Sequence, residues 1–461
     1  MSLLAAFIVP HPPLIVPAVG KGQERSISST VAAYREVAGR VFSLHPEVVI
    51  ISTPHSTVYA DYLHLSPGPR AEGGLGQFGA SGVRFSAEYD EPLVEAISGF
   101  ARKERIPAGT LGERNKALDH GTMIPLHFLR EAGVVAPIVR ISLSGLSNLV
   151  HYRFGQCVAR ALEKLGRRAV FVASGDLSHK LTTDGPYGFS PQGPEFDRRV
   201  VEAMKKGDFA AMLAFDDSFC ESAAECGLRS FLIMAGALDG LALTPEVLSY
   251  EGPFGVGYAV AAFSVTGNDS TRHFGAQYAE EEAERLRIRR EKEDPYVRLA
   301  RKSLESFVTT GQRIAIPSGL PEEMLSRRAG VFVSLHREGK LRGCIGTTGP
   351  TTGSVAAEII RNAIHAATED PRFDPVTPEE LADLECHVDV LGPSEPIASM
   401  AELEPKRYGV IVRNRGKSGL LLPDLPGVDT AEEQVAIARR KAGIGEHESV
   451  ALERFEVVRH Q

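Results

Sequence analysis

The sequence predicts an α/β amino-terminal domain, a central sheet flanked by helices, followed by a smaller α+β domain. Three observations carry this. Continuous apolar runs such as EVVII and AVFVAS are β-branched rather than alternating, as in strands covered by helices on both faces. The segment YAEEEAERLRIRREKED concentrates charge of both signs and reads as an exposed helix or linker between two cores. Beyond it, DLECHVDVL alternates strictly, the pattern of a half-buried antiparallel strand. At 461 residues the chain also exceeds one ordinary core.

In chain order, LLAAFIV is a short buried strand closed by Pro10-His11-Pro12-Pro13, which puts a histidine in a rigid loop at a strand end. QERSISSTVAAYREVAGRVFSL is a crossover helix leading to EVVIIS and Thr53-Pro54-His55. The glycine- and proline-rich stretch YLHLSPGPRAEGGLGQFGASGVRF is a surface excursion able to overhang a site. LDHGTMIPLHFLREA opens a helix at Asp119-His120-Gly121, and AVFVAS runs into Ser174-Gly175-Asp176-Leu177-Ser178-His179. Phe196, Val200 and Met204 form a helical stripe. SFCESAAECGLRSFLIMAGAL begins polar, with Glu221 and Glu225 at its start, and becomes one buried helix; GVGYAVAAFSV closes the domain as a strand.

These features divide the chain into residues 1–267, a charged linker at 268–293, and a second domain at 294–461. The second domain starts at Asp294-Pro295, an N-cap with proline at the first helical position. Val297, Ala300, Leu304 and Phe307 then give one apolar helix face, and GVFVSLHREGKLRGCIGTT reads as two strands around Glu338-Gly339-Lys340.

A net charge of -8, with basic residues interleaved among acidic ones, gives no nucleic-acid surface. No tract is long enough to span a membrane, and the first apolar stretch lacks a basic leader, so the cytoplasm is the expected location. The five cysteines lack CxxC spacing, which opposes a disulfide framework. Small molecules or proteins are the expected partners, and the composition leaves room for an oligomer.

If the three strands that end in histidine loops share a direction, His11, His55 and His179 gather on one rim, where α/β proteins keep their ligands. Any one of these histidines alone reads more readily as a strand cap or a loop hydrogen-bonding group, and it is their recurrence at equivalent strand ends, with His120 as a fourth, that points to a site. Two neutral imidazoles with one carboxylate suit Fe(II), or another divalent metal, with positions left open. His11 and His55 are the imidazoles; Glu225 is the chosen carboxylate, with Glu221 and Asp176 as rivals.

PHPPL, TPHS, DHGTMIPL and SGDLSHKL, in that order, resemble the class III extradiol dioxygenase family, the LigB-like catalytic subunits, and the related Memo-like proteins. The resemblance covers residues 1–266. It implies that His11 and His55 ligate non-haem Fe(II), that His179 is the acid/base, and that His120 contacts substrate or oxygen. The implied activity is extradiol cleavage of a catechol-type aromatic substrate with O2. One departure matters: Memo-like proteins carry a cysteine and glycine where the dioxygenases supply a glutamate, and Cys226-Gly227 fits that pattern as well as Glu225 fits the other. A Memo-like metal-binding or interaction protein without ring cleavage is therefore the alternative.

LRGCIGT, with PYVRLARKSL, ATEDPRF and YGVIVRNRGKSGLLLP, resembles the AMMECR1 family over residues 295–461. Gly343 and Gly346 allow close backbone approach around Cys344, a candidate reactive residue whose pKa Arg342 could lower. His336, His365 and His387 are the histidines able to join it in space; Glu369, Asp370 and Asp374 read as a solvated turn. The resemblance of both parts to the AmmeMemoRadiSam grouping implies a radical SAM protein as a partner.

Overall fold

The computed structural model describes residues 2–112, 117–425 and 427–461. It divides into two compact units, Met1–Glu281 and Glu282–Gln461, and the division falls inside the charged helix Phe274–Lys292.

The first unit is built on a six-stranded mixed sheet. Its order is Ile138–Ser142, Val48–Thr53, Ala169–Ser174, Leu3–Val9, Tyr258–Asn268, Leu241–Glu251. The first four strands are mutually parallel and the last two pair antiparallel. Helices Ser28–Leu44 and His120–Glu131 pack on one face, through Tyr34, Val37, Ile124 and Phe128. Helices Asn148–Leu165 and Leu228–Ala237 cover the other, through Phe154, Val158 and Phe231. With both faces covered, Val48 to Ile51 and Val170 to Val172 are buried without alternation, so the continuous apolar runs are explained. Because Leu3–Val9, Val48–Thr53 and Ala169–Ser174 run the same way, their following loops leave from one edge.

Two local features differ from expectation. The segment read as one helix is two, Asp217–Ala223 and Leu228–Ala237. Ala224 takes the left-handed conformation (φ 52°) and ends the first helix, so Glu225, Cys226 and Gly227 form a connector instead of a helix start. The long strand Leu241–Glu251 carries weak alternation and was not anticipated. The surface excursion is a hairpin, Arg70–Leu75 with Ala80–Glu88, closed by the short turn Gly76–Phe78.

In the second unit, Asp294 caps the helix Pro295–Thr310, its side chain accepting from the N–H groups of Tyr296 and Val297. That helix and Val355–Thr368 cover an antiparallel sheet ordered Lys340–Gly346, Val331–Arg337, Leu384–Leu391, Val457–His460. Glu338 and Gly339, both at positive φ, make the tight hairpin turn. A second sheet, Glu395–Ile397, Ala451–Phe455, Gly409–Asn414 and Lys417–Leu421, packs with helix Ala431–Ala442. No helix among the described residues is long and apolar enough to cross a membrane.

Candidate metal centre

Parallel strand ends bring the sequence motifs together. His11 follows the first strand and is almost fully buried. Its Nδ1 is 3.0 Å from Ser174 Oγ, and its backbone N–H donates to Asp176 Oδ1 at 2.8 Å. With Ser174 as acceptor, Nδ1 carries the proton and Nε2 presents its lone pair outward. The Nε2 of exposed His55 lies 2.9 Å from it.

His55 and His120 are linked through Asp119. The Asp119 carboxylate caps the helix that begins at His120, through Thr122 N–H, and accepts from Thr53 Oγ1 at 2.7 Å. Thr53 Oγ1 in turn accepts from the His55 N–H. The rings of His55 and His120 stack with centroids 4.0 Å apart, and Phe78, from the hairpin turn, meets His120 edge-on at 5.4 Å. The glycine-rich excursion therefore does overhang the site.

The third donor comes from the connector between the two helices. A β-carbon on Gly175 would stand 2.2 Å from the Gly227 α-carbon, so only glycines let these loops approach so closely. That approach sets Cys226 Sγ 3.7 Å from His11 Nε2 and lets the Asp176 N–H donate to the sulfur at 3.3 Å. Ligand atoms of His11, His55 and Cys226 all lie within 4.8 Å of one another, a group that could hold a metal ion. Glu225 stands apart from it: its carboxylate accepts from the Leu228 N–H at 2.7 Å, at the start of the buried helix. Glu221 is exposed at the end of the preceding helix. Asp176, the other rival, lies beside the group, its Oδ2 4.0 Å from His11 Nε2.

Electrostatics suit metal capture. Burial, then neighbouring imidazoles, hold His11 well below the usual histidine range; partial desolvation and His120 take His55 down to about 4. Both are therefore neutral near pH 7, the form in which an imidazole can ligate a metal. Burial and the adjacent acids raise the Cys226 thiol, so a metal entering there displaces a proton from sulfur. Two imidazoles and a thiol make a soft to borderline donor set, one that Fe(II), Cu(I) or Zn(II) can satisfy.

His179 stands at the same edge. Its Nδ1 is 2.5 Å from the Ala224 carbonyl oxygen, its ring meets Tyr187 at 5.2 Å, and burial lowers its pKa. An Nδ1–H donated to that carbonyl leaves Nε2 as a proton acceptor. Its loop is held by Asp197, which accepts from the Ser178 N–H at 2.8 Å, a support absent from the sequence reading. Burial raises Asp176 to about 7, which makes it a second group able to exchange a proton near neutrality.

In the second unit, Cys344 is half-buried and its thiol is raised by loss of water. Arg342 does not serve it: the guanidinium forks onto Glu380 at 2.8 and 3.0 Å. The charged groups around the thiol are instead Arg372, Asp370, Asp389 and Lys441. Asp370 is not in a solvated turn; it is buried, accepting from the Cys344 N–H and from Arg372. His336 and His387 pair with each other, and His365 faces Glu369.

Comparison with known proteins agrees with both halves. Residues 5–261 match the family described as the catalytic LigB subunit of aromatic ring-opening dioxygenase, and residues 297–460 match AMMECR1. A protein of Clostridium acetobutylicum, CA_C1420, is 42% identical over the whole of both chains. A Thermotoga maritima protein is 53% identical over 171 residues, 37% of this chain and 98% of its own. The crystal structure of PH0010 from Pyrococcus horikoshii aligns at 36% identity and a TM-score of 0.34, covering 36% of this chain and 88% of that one. The chain thus belongs to the LigB family, as a LigB domain fused to an AMMECR1 domain.

Proposed function

We propose that residues 1–281 form a metal-dependent oxygenase-type domain acting on a catechol-type aromatic substrate, with the metal held by His11, His55 and Cys226. The observation that supports this reading is the convergence of those three ligand atoms within 4.8 Å, beside two further histidines. Bound there, Fe(II) would supply Lewis acidity toward a diol and one-electron chemistry toward O2. The protein's own contribution is the proton traffic and the walls. His179 Nε2 takes a proton from a substrate hydroxyl and returns it, while Ala224 fixes its orientation. His120, stacked on His55 and flanked by Phe78, faces substrate or oxygen.

A second reading is favoured by Cys226 itself. A thiolate in place of a carboxylate favours softer metals and is itself open to oxidation, which suits a metal-holding protein without ring cleavage, partnered by a radical SAM enzyme.

The test is anaerobic reconstitution with Fe(II), metal analysis, and oxygen uptake with a panel of catechols. Stoichiometric iron, lost in His11→Ala, His55→Ala and Cys226→Ala, with catechol-dependent uptake lost in His179→Ala but iron retained, is the expected outcome. Iron retained in all three ligand variants sinks the assignment of the centre. Tight metal without uptake transfers the reading to the second.

A further inference from the structure

We propose that Tyr258 is a further ligand-contacting residue of this centre, its phenol O–H donating to an oxygen or other anionic atom of the small molecule seated on His11, His55 and Cys226. The inference rests on the metal-centre reading above and adds a residue that none of the motifs contains.

Strand pairing sets its place. Phe7 pairs with Ala262 and Ile8 with Ala261 in antiparallel register, so Tyr258, the first residue of the partner strand, lies at the end where Leu3–Val9 runs out toward His11. Tyr258 and Val260 pack in the same buried cluster as Phe7 and Val9, so this tyrosine lies on the face of the sheet toward which His11 continues. The preceding residue is pinned to the loop bearing Asp176 and His179: the Gly257 N–H donates to the Ser178 carbonyl and the Gly257 carbonyl accepts from the Leu177 N–H, both at 2.8 Å.

The hydroxyl is the informative part. Tyr258 is 3% exposed as a residue, its hydroxyl makes no hydrogen bond to another described residue, and that oxygen is not among the unpaired side-chain atoms sealed from solvent. Three other tyrosines of this unit behave differently: Tyr34 donates to the Pro10 carbonyl, Tyr152 to Asp239 and Tyr250 to Asp197. Packing accounts for the ring of Tyr258, and phenylalanine would pack as well; the hydroxyl, unpaired within the fold, leaves a donor free for a molecule entering the space it reaches. The ionisable groups that act on the phenol are Asp176, Tyr187 and Cys226, which line the centre. With burial they keep it protonated, so it serves as a donor only.

Tyr258→Phe in the full chain, loaded with Co(II) and titrated with azide, tests this. Azide is a small anion that ligates Co(II) and accepts a hydrogen bond. The variant should take up Co(II) with an unchanged sulfur-to-cobalt absorption band and bind azide about tenfold more weakly, the worth of one hydrogen bond to a charged acceptor. The metal-free variant should melt at the same temperature as the native chain or slightly above it, since no bond in the fold is lost. Equal azide affinity, loss of Co(II) uptake, or a metal-free melting temperature several degrees lower overturns the role. A native chain that takes no Co(II) through Cys226 overturns the centre, and Tyr258's role falls with it.

Discussion

The Nδ1 of His179 lies 2.5 Å from the carbonyl oxygen of Ala224, a residue held at φ 52°. One left-handed residue therefore ends a helix, orients the candidate acid/base and delivers Cys226 two positions later. Alanine in this conformation costs about 1 kcal/mol and a β-branched residue more. Ala224→Gly should be neutral or stabilising by up to about 1 kcal/mol. Ala224→Val should lower the melting temperature and weaken metal uptake together. Equal behaviour of the two variants in thermal melts and metal titrations would remove this turn from the design of the site.

Cys226 and Glu225 compete for the third ligand position, and they separate cleanly by substitution. Cys226→Ala should empty the centre. Glu225→Gln should keep its metal, because an amide oxygen still accepts from the Leu228 N–H. Metal analysis of both decides between them; loss of metal in Glu225→Gln would return the role to the carboxylate.

Asp197 makes stability depend on pH. Burial raises its carboxyl to about 7, against the bonds from the Ser178 N–H and the Tyr250 hydroxyl, which favour the ionised form. The folded state thus binds its proton more tightly than the unfolded chain. This contribution is fully present below the unfolded pKa of about 4 and is lost as pH rises toward 7. Relative to Asp197→Asn, the native chain should lose stability between pH 4 and 7, measured by denaturant unfolding of the metal-free protein at several pH values. A constant difference across that range would contradict the assignment.

Gly343 explains part of the LRGCIG motif by packing. A β-carbon there would lie 2.1 Å from the Ala366 carbonyl oxygen, in the helix Val355–Thr368 covering the sheet. Gly343→Ala should cost roughly 1–3 kcal/mol or more, since backbone cannot yield as a side chain can. A melting temperature within a degree of the native value would show that the helix shifts freely.

Much of this was legible in the residues. Unbroken apolar runs marked the strands ending at His11, His55 and His179, because burial on both faces removes any need for alternation. Strict alternation marked Leu384–Leu391, and Asp294-Pro295 marked a helix start through its capping chemistry. Apolar patterning at SFCESAAECGLRSFLIMAGAL could not reveal its break. A left-handed alanine has no sequence signature, and the turn is held by bonds to a loop some 45 residues away.

What the sequence by itself determined is the buried strands that end in histidine loops and the amphipathic helices between them, since these follow from local side-chain type and periodicity. Only the tertiary structure decided which of them meet. Parallel pairing joined His11 to His55, the glycine contact of Gly175 with Gly227 brought Cys226 rather than Glu225 to them, and antiparallel pairing put the start of the Tyr258 strand at the end of the strand that leads to His11. Those choices depend on approaches between segments distant in the chain, where a single ångström selects a ligand and local pattern is silent.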